Sequence, residues 1–157
     1  MPSLHDVTKR AAEGSLNPVY VLVGTERLLV ERAVDAIRKA VDAMGAPGFN
    51  TEIFDGNGLD AARAISAVRT LPMMADKRLV LIRHVDAMTP TEQNALATYL
   101  DDPADSGCLV MTADKIDGRS KLAKAAKKKG VLIDAKPLRN RELREFIRAE
   151  ASARDHN

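Results

Sequence analysis

The sequence has few aromatic residues and almost no cysteine. Its 157 residues include no tryptophan, two tyrosines, three phenylalanines and one cysteine. A single cysteine, Cys108, excludes an internal disulfide framework and favours a cytoplasmic protein. So few rings argue against a surface that stacks nucleic-acid bases. No apolar run approaches the roughly 18 residues that a membrane-spanning helix needs, so no membrane partner is expected.

Neither sign of charge is in large excess. The chain has 24 basic and 22 acidic side chains and a formal net charge of +2, which is too balanced to indicate a general nucleic-acid binder. We predict a single domain over residues 1–157, with a leading helix over 1–15, an α/β core over 16–137 and a C-terminal helix over 138–157. The tail "AEASARDHN" carries no helix-stop signal. We therefore expect the sequence to be a piece of a longer protein.

Five short runs rich in β-forming residues alternate with helical patterns. The runs cover residues 19–24, 50–56, 78–85, 107–113 and 130–135. Three are almost continuously apolar at their centres, as in parallel strands that are covered on both faces. The second run alternates polar and apolar residues, which predicts an edge strand. The fold class is therefore α/β, with a five-stranded, mostly parallel sheet and helices on both faces.

The helical segments are predicted from apolar periodicity and from capping residues. The expected inward positions are Val30, Val34, Ile37, Val41 and Met44 in the first helix, Leu59, Ala62, Ile65 and Val68 or Arg69 in the second, Ala95, Leu96, Tyr99 and Leu100 in the third, Leu122, Ala125 and Ala126 in the fourth, and Leu143, Phe146 and Ile147 in the last. Thr89, Pro90 and Glu92 predict an N-cap with a capping box, and Gly130 predicts a C-cap.

The turn after the first strand lies where many α/β proteins hold a phosphate. A phosphate loop needs several glycines, a lysine and a hydroxyl group, whereas this turn offers Gly24, Thr25 and Glu26. We interpret Gly24 as the turn residue, Thr25 as the helix cap and Glu26 as a charge that suits the helix N-terminus. This vestigial phosphate loop is expected to bind no ATP, and no other cofactor is indicated.

A phosphoacceptor receiver domain is an alternative with the same order of elements. Thr112 and Ala113 after the fourth strand, and Lys136 and Pro137 after the fifth, resemble receiver motifs. The acidic magnesium ligands are missing, and Arg83 stands where the phosphoacceptor aspartate would be. A degenerate receiver that acts as a signalling interaction domain therefore stays open.

No catalytic or metal-binding set is recognisable elsewhere. The three histidines, His5, His84 and His156, are far apart in the sequence and lack the spacing of metal ligands. No catalytic residues and no metal site are predicted.

The segment "TLPMMADKR" offers the best candidate binding surface. Pro72 interrupts the preceding helix, and Met73 and Met74 follow on a short turn. Adjacent methionines suit an adaptable apolar contact, although one or both could instead close the end of the core.

Five blocks in this order and spacing resemble the N-terminal domain of the delta subunit of the bacterial DNA polymerase III clamp loader. They are "PVYVLVGTERLLVERAVDAI", "FNTEIFDG", "RTLPMMADKRLVLIRHVDAM", "GCLVMTADKIDGRSKLAKAAKKKG" and "LRNRELREFI". The resemblance implies an AAA+-like fold that has lost its nucleotide motifs. It also implies a subunit of a DNA-directed DNA polymerase complex without catalysis of its own, which binds the sliding clamp, the beta subunit, and opens its ring.

The resemblance further assigns residues and partners. An apolar pair at a helix tip, often leucine and phenylalanine in the family, enters a pocket on the clamp; Met73 and Met74 fall on that pair, and Leu71 and Pro72 would set its angle. Delta subunits also have a helical lid and a collar domain, through which the other loader subunits would be partners; the present sequence ends before them.

A lysine-rich segment precedes the fifth predicted strand. Its basic residues are Arg119, Lys121, Lys124, Lys127, Lys128 and Lys129. They are interpreted mainly as a solvated helix face, because the sequence predicts that they are spread around the helix rather than aligned in one stripe. A weak or indirect contact with DNA or with an acidic partner is the alternative.

Overall fold

Strands and helices alternate throughout the part of the chain that the structure describes. A computed structural model describes residues 3–45, 50–72 and 75–134. The elements are α1 (Leu4–Ala12), β1 (Val19–Val23), α2 (Arg27–Ala43), β2 (Thr51–Asp55), α3 (Ala61–Arg69), β3 (Arg78–Arg83), a 3₁₀ turn (Val85–Ala87), α4 (Pro90–Asp101), β4 (Gly107–Ala113), α5 (Lys121–Lys128) and β5 (Leu132–Asp134). The predicted helix over residues 138–157, with its inward side chains, lies outside the described residues.

The five strands form one sheet in the order β2-β3-β4-β1-β5. Every pairing is parallel, so the sheet is more regular than the mostly parallel one that the sequence predicts. Among the strands of the described ranges, β2 pairs with β3 alone, which confirms its predicted place at an edge. Because the strands are parallel, all their carboxyl ends point to one edge of the sheet and all their amino ends to the other.

Helices cover both faces of the sheet, as predicted. Residues of β1 alternate between two buried clusters: Val19, Val21 and Val23 face α3, α4 and α5, whereas Tyr20 and Leu22 face α1 and α2. The central strand β4 is buried along its whole length. This burial on both faces explains the continuous apolar runs in the sequence.

The predicted inward faces are largely correct, with one clear error in α3. In α2, Val30, Val34, Ile37 and Val41 are buried, while Met44 is only half-buried in the turn after the helix. For the second helix, the predicted Leu59 is buried just before α3, Ile65 is half-buried against the core, and of the two alternatives Val68 rather than Arg69 is buried. The prediction of Ala62 was wrong, because Ala62 is exposed and Ala61 and Ala64 are buried instead.

The caps are partly as predicted. The Thr89 hydroxyl accepts a hydrogen bond from the backbone N–H of Glu92, and Pro90 is the first helical residue. The Glu92 carboxylate, however, accepts from the backbone N–H of Ala61 at 2.6 Å, which ties the start of α3 to α4. Gly130 follows α5 with φ of 70°, a conformation that suits glycine at a helix end.

Candidate functional site

Two edges of the sheet are candidates for function. The carboxyl edge, where β1, β3 and β4 end, is where α/β proteins generally bind ligands. The amino edge, where these strands begin, carries the segment that joins α3 to β3. No helix within the described ranges is long and apolar enough to cross a membrane.

The vestigial phosphate loop lies at the carboxyl edge. Gly24 turns the chain with φ of 154°, and its backbone N–H donates to the Ala113 carbonyl at 3.0 Å. Helix α2 then begins at Arg27, and the N-cap position is Glu26, whose side chain makes no capping hydrogen bond. The prediction that Thr25 caps this helix was wrong, because Thr25 lies one residue before the cap and contributes only its carbonyl, to the N–H of Arg27.

A small cavity next to this loop is partly filled by an ion pair. The cavity, of about 210 Å³, is lined by Gly24, Arg27, Val30, Glu31, Arg83, His84, Thr112, Ala113 and Asp114. Arg83, the last residue of β3, makes a two-pronged contact with the Glu31 carboxylate of α2, with Nη2 to Oε2 at 3.2 Å. Arg83, which stands where a receiver domain would have its phosphoacceptor aspartate, is thus paired with the carboxylate of Glu31 in the same domain.

His84, which follows Arg83, has an unusual backbone conformation. Its φ of 57° and ψ of 49° are left-handed, and its Nδ1 lies 3.1 Å from Oδ2 of Asp55. The Asn57 backbone N–H and the His84 side chain hold the pKa of Asp55 below its ordinary value. Among the described residues, no group of three or more histidines, cysteines and carboxylates could hold a metal ion.

The predicted clamp-binding segment leaves α3 at the amino edge. The side chain of Leu71 is 77% exposed, more than any other large hydrophobic residue that the structure describes. Pro72 is half-buried. Met73 and Met74 lie outside the described residues. The structure therefore shows an apolar residue in solvent at the point where the sequence predicts a binding surface.

The first side of this segment is held by Arg69, the last residue of α3. Its guanidinium lies over the ring of Tyr99, 4.8 Å from the ring centre, and its Nη2 donates to the Asp102 carbonyl at 2.9 Å. The Tyr99 hydroxyl in turn accepts from the backbone N–H of Ala104 at 3.1 Å. Burial raises the pKa of Tyr99, so the phenol stays neutral. These contacts tie the end of α3 to the loop between α4 and β4.

The second side is held by Lys77 and Arg78. The Lys77 ammonium donates to the Asp105 carbonyl. The backbone N–H of Arg78 donates to the Ser106 carbonyl at 2.8 Å, and its Nε donates to the Ala67 carbonyl at 2.7 Å. Both sides of the α3–β3 segment are therefore fixed to the same loop, residues 102–106. These tethers cannot be predicted from local sequence patterns, since each joins residues that are distant in the chain.

The basic residues of α5 occupy its solvent side. Leu122, Ala123 and Ala126 are buried, and the exposed basic side chains are Arg119, Lys121, Lys124, Lys127, Lys128 and Lys129. Lys121, Lys124 and Lys128 are three and four residues apart, so they form one stripe along the helix. The interpretation that the charges are spread around the helix was therefore wrong. Arg119, just before the helix, forms an exposed ion pair in which its Nε lies 3.5 Å from Oδ1 of Asp117.

Comparison with known proteins agrees with this architecture. The family model "DNA polymerase III, delta subunit" matches residues 20–136. The chain is 32% identical to the DNA polymerase III subunit delta of Bacillus subtilis over 151 residues, which are 90% of this chain and 44% of that protein. The chain thus spans less than half the length of this curated relative.

Solved structures extend the likeness to the fold. A Bacillus subtilis DNA clamp loader delta protein matches with a TM-score of 0.77 and 32% identity, over 91% of this chain and 45% of that one. A DNA polymerase III gamma subunit-related protein from Thermotoga maritima matches with a TM-score of 0.59 and 14% identity, over 88% of this chain and 47% of that one. The second match, at this low identity, shows the fold alone. A Thermotoga maritima RuvB variant matches with a TM-score of 0.50 and 14% identity, over 95% of this chain and 48% of that one. The fold that these structures share is AAA+-like.

Proposed function

The chain belongs to the DNA polymerase III delta subunit family, and from that premise we propose that it binds the sliding clamp and helps to open its ring. The contact is made by the α3–β3 segment, with Leu71, Pro72, Met73 and Met74. The observation that carries the proposal is Leu71, which stands in solvent at the amino edge on a segment that is tethered on both sides.

Physical chemistry favours this segment as an anchor. Exposed large apolar side chains that recur at one place mark interaction sites more often than isolated ones. An apolar side chain that enters a partner's pocket contributes most when its own backbone is already fixed, because less conformational entropy is lost on binding. The hydrogen bonds of Arg69 and Arg78 supply this fixation on the two sides of the segment.

The decisive experiment measures the affinity of the chain for the clamp of the same organism. Replacing Met73 and Met74 together by alanine should weaken binding by more than about 2 kcal/mol, the size of an interface hot spot. Leu71→Ala should weaken binding by a smaller amount. Leu28→Ala is the matched control, because Leu28 is also exposed, at 63%, but lies near the start of α2 at the other edge. Calorimetric titration that finds the double variant unchanged would refute the assignment.

The domain is proposed to act without hydrolysing ATP. The Gly24 N–H that could face a phosphate is bonded to Ala113, and Arg83 is paired with Glu31. The same pair argues against the degenerate receiver, whose phosphoacceptor would stand at Arg83. In this account the chain works as a replication protein in the cytoplasm, and other loader subunits are its further partners.

A weak contact with DNA is a second candidate, favoured by the lysine stripe of α5. Each phosphate contact that is lost should reduce the salt dependence of DNA binding by about one unit of slope. Lys124→Gln should show this reduction, whereas Lys39→Gln, on α2 and paired with Asp35 at 3.1 Å, should not. Equal slopes for the two variants would contradict a DNA contact through α5.

A further inference from the structure

The contacts of Arg69 extend the proposed function to a residue outside the apolar segment. We infer that Arg69 is a positioning residue for clamp binding: it fixes the end of α3 against the α4–β4 loop and so holds Leu71 in an orientation that suits the partner. This inference rests on the proposed function.

The position of Arg69 in the fold is the first argument. It is the last residue of α3, and Thr70 after it is already extended, with φ of −66° and ψ of 131°. The Thr70 hydroxyl donates back to Ser66 at 2.8 Å, which closes the last turn of the helix. Only Thr70 separates Arg69 from Leu71. The direction in which the chain leaves the helix is therefore set by where Arg69 is held.

The surface that receives Arg69 is rigid. Tyr99 is 3% exposed and belongs to the main buried cluster, and its hydroxyl is bonded to the Ala104 N–H. Gly107, where β4 begins, is so close to α3 that a Cβ there would lie 2.7 Å from both Cγ2 and the carbonyl oxygen of Val68. The guanidinium of Arg69 thus lies on a part of the core that cannot easily move.

Arginine is the side chain that this position requires. Its planar guanidinium can stack on the Tyr99 ring and, at the same time, donate to the Asp102 carbonyl. A lysine keeps the charge but has no planar fork with which to do both. Replacement by alanine removes both contacts, and the end of α3 is then held by the buried Val68 and by the hydrogen bond from Arg78 to the Ala67 carbonyl.

A matched control exists on the same helix. Arg63 also lies over an aromatic ring, that of Phe54, 5.7 Å from the ring centre, but near the start of α3. Both Arg63→Ala and Arg69→Ala remove an arginine–aromatic contact, and Arg69→Ala also removes the hydrogen bond to the Asp102 carbonyl, so a small loss of stability is expected for each, somewhat larger for Arg69→Ala. Only Arg69 lies beside the apolar segment.

The test compares clamp affinity and local order in the whole chain. Arg69→Ala should raise the clamp dissociation constant about tenfold, within the range of entropy lost when a few side chains are ordered on binding. Arg69→Lys should recover part of this loss, and Arg63→Ala should change affinity less than about twofold. Methyl relaxation by nuclear magnetic resonance, without clamp, should show lower order for the Leu71 methyl groups in Arg69→Ala than in Arg63→Ala.

The outcomes separate the inference from the function beneath it. If the Met73 and Met74 double variant loses clamp binding while Arg69→Ala binds as the Arg63→Ala control does, the positioning role is overturned and the clamp site stands. If the double variant binds normally, the clamp site itself fails and the inference fails with it. A melting temperature for Arg69→Ala close to that of Arg63→Ala excludes loss of fold as the cause of weaker binding. If the melting temperature of Arg69→Ala is much lower, Arg69→Lys decides instead. Its clamp affinity must then fall between that of the wild type and that of Arg69→Ala, or the inference is rejected.

Discussion

Each of the two edges of the sheet has an arginine at the end of an element, Arg83 at the carboxyl edge and Arg69 at the amino edge, and the two arginines make different contacts. At the carboxyl edge, Arg83 neutralises Glu31 and occupies part of the cavity where α/β proteins usually bind a ligand. At the amino edge, Arg69 is bound to an aromatic ring and a carbonyl group, and Leu71 remains in solvent. At one edge Arg83 and the Gly24 N–H are paired within the domain, whereas at the other Leu71 is exposed beside a tethered helix end.

In the proposed function, a scaffold of the nucleotide-binding type keeps its architecture while its interaction surface lies at the opposite edge of the sheet. Phosphate binding requires backbone N–H groups that have no partner within the protein. The N–H of Gly24 already has one in Ala113. Binding to a protein pocket is favoured instead by an apolar side chain on a fixed backbone, and Leu71 is exposed directly after the tethered end of α3.

The largest effect is expected from Gly56→Ala at the carboxyl edge. A Cβ on Gly56 would lie 2.1 Å from the backbone oxygen of His84, so the ends of β2 and β3 must separate. We expect a loss of about 3 kcal/mol in the free energy of unfolding, measured by urea denaturation, because such overpacking displaces backbone. Clamp affinity of the folded fraction should not change, since this edge is opposite the apolar segment.

Gly118→Ala is the control for Gly56→Ala. Its Cβ would meet only the Lys127 Nζ, at an ordinary 3.5 Å, so stability should change by less than about 0.5 kcal/mol. If Gly56→Ala proved as stable as Gly118→Ala, the close contact between Gly56 and His84 would be wrong.

The second effect is at the amino edge and should be seen in both stability and binding. In Gly107→Ala the new methyl group would press on Val68, which precedes Arg69 in the last turn of α3. We expect about 2 kcal/mol of destabilisation from overpacking, together with weaker clamp binding by the folded protein. Unchanged affinity would show that the end of α3 can shift without moving the binding surface, which would remove the contrast between the two edges.

The smallest effect concerns the ion pair of the carboxyl edge. Arg83→Met should lower stability by less than about 1 kcal/mol, because both partners are partly exposed and such pairs contribute little. Magnesium and ATP should raise the melting temperature of neither the variant nor the original chain, as thermal scans would record. A nucleotide-dependent rise in the variant alone would mean that Arg83, rather than the whole loop, keeps nucleotide out.

Much of the fold follows from local patterns in the chain. The continuous apolar runs predicted central parallel strands, and the alternating run predicted the edge strand β2; the structure confirms both. The lysine and the additional glycines that are missing near Gly24 predicted a phosphate loop without its ligand groups. Two details were wrong: Ala62 is exposed where the sequence predicts an inward position, and the N-cap position of α2 is Glu26 rather than Thr25.

The sequence by itself determined the order of strands and helices, the place of β2 at the edge and the likeness to delta subunits, because residue periodicity and family blocks are properties of short stretches. Only the tertiary structure decided which distant groups meet: the Arg69 side chain with the backbone carbonyl of Asp102, 33 residues apart, and the Arg83 side chain with that of Glu31, 52 residues apart. Such contacts depend on how whole elements pack against one another, and no local sequence pattern specifies which distant residues become neighbours in space.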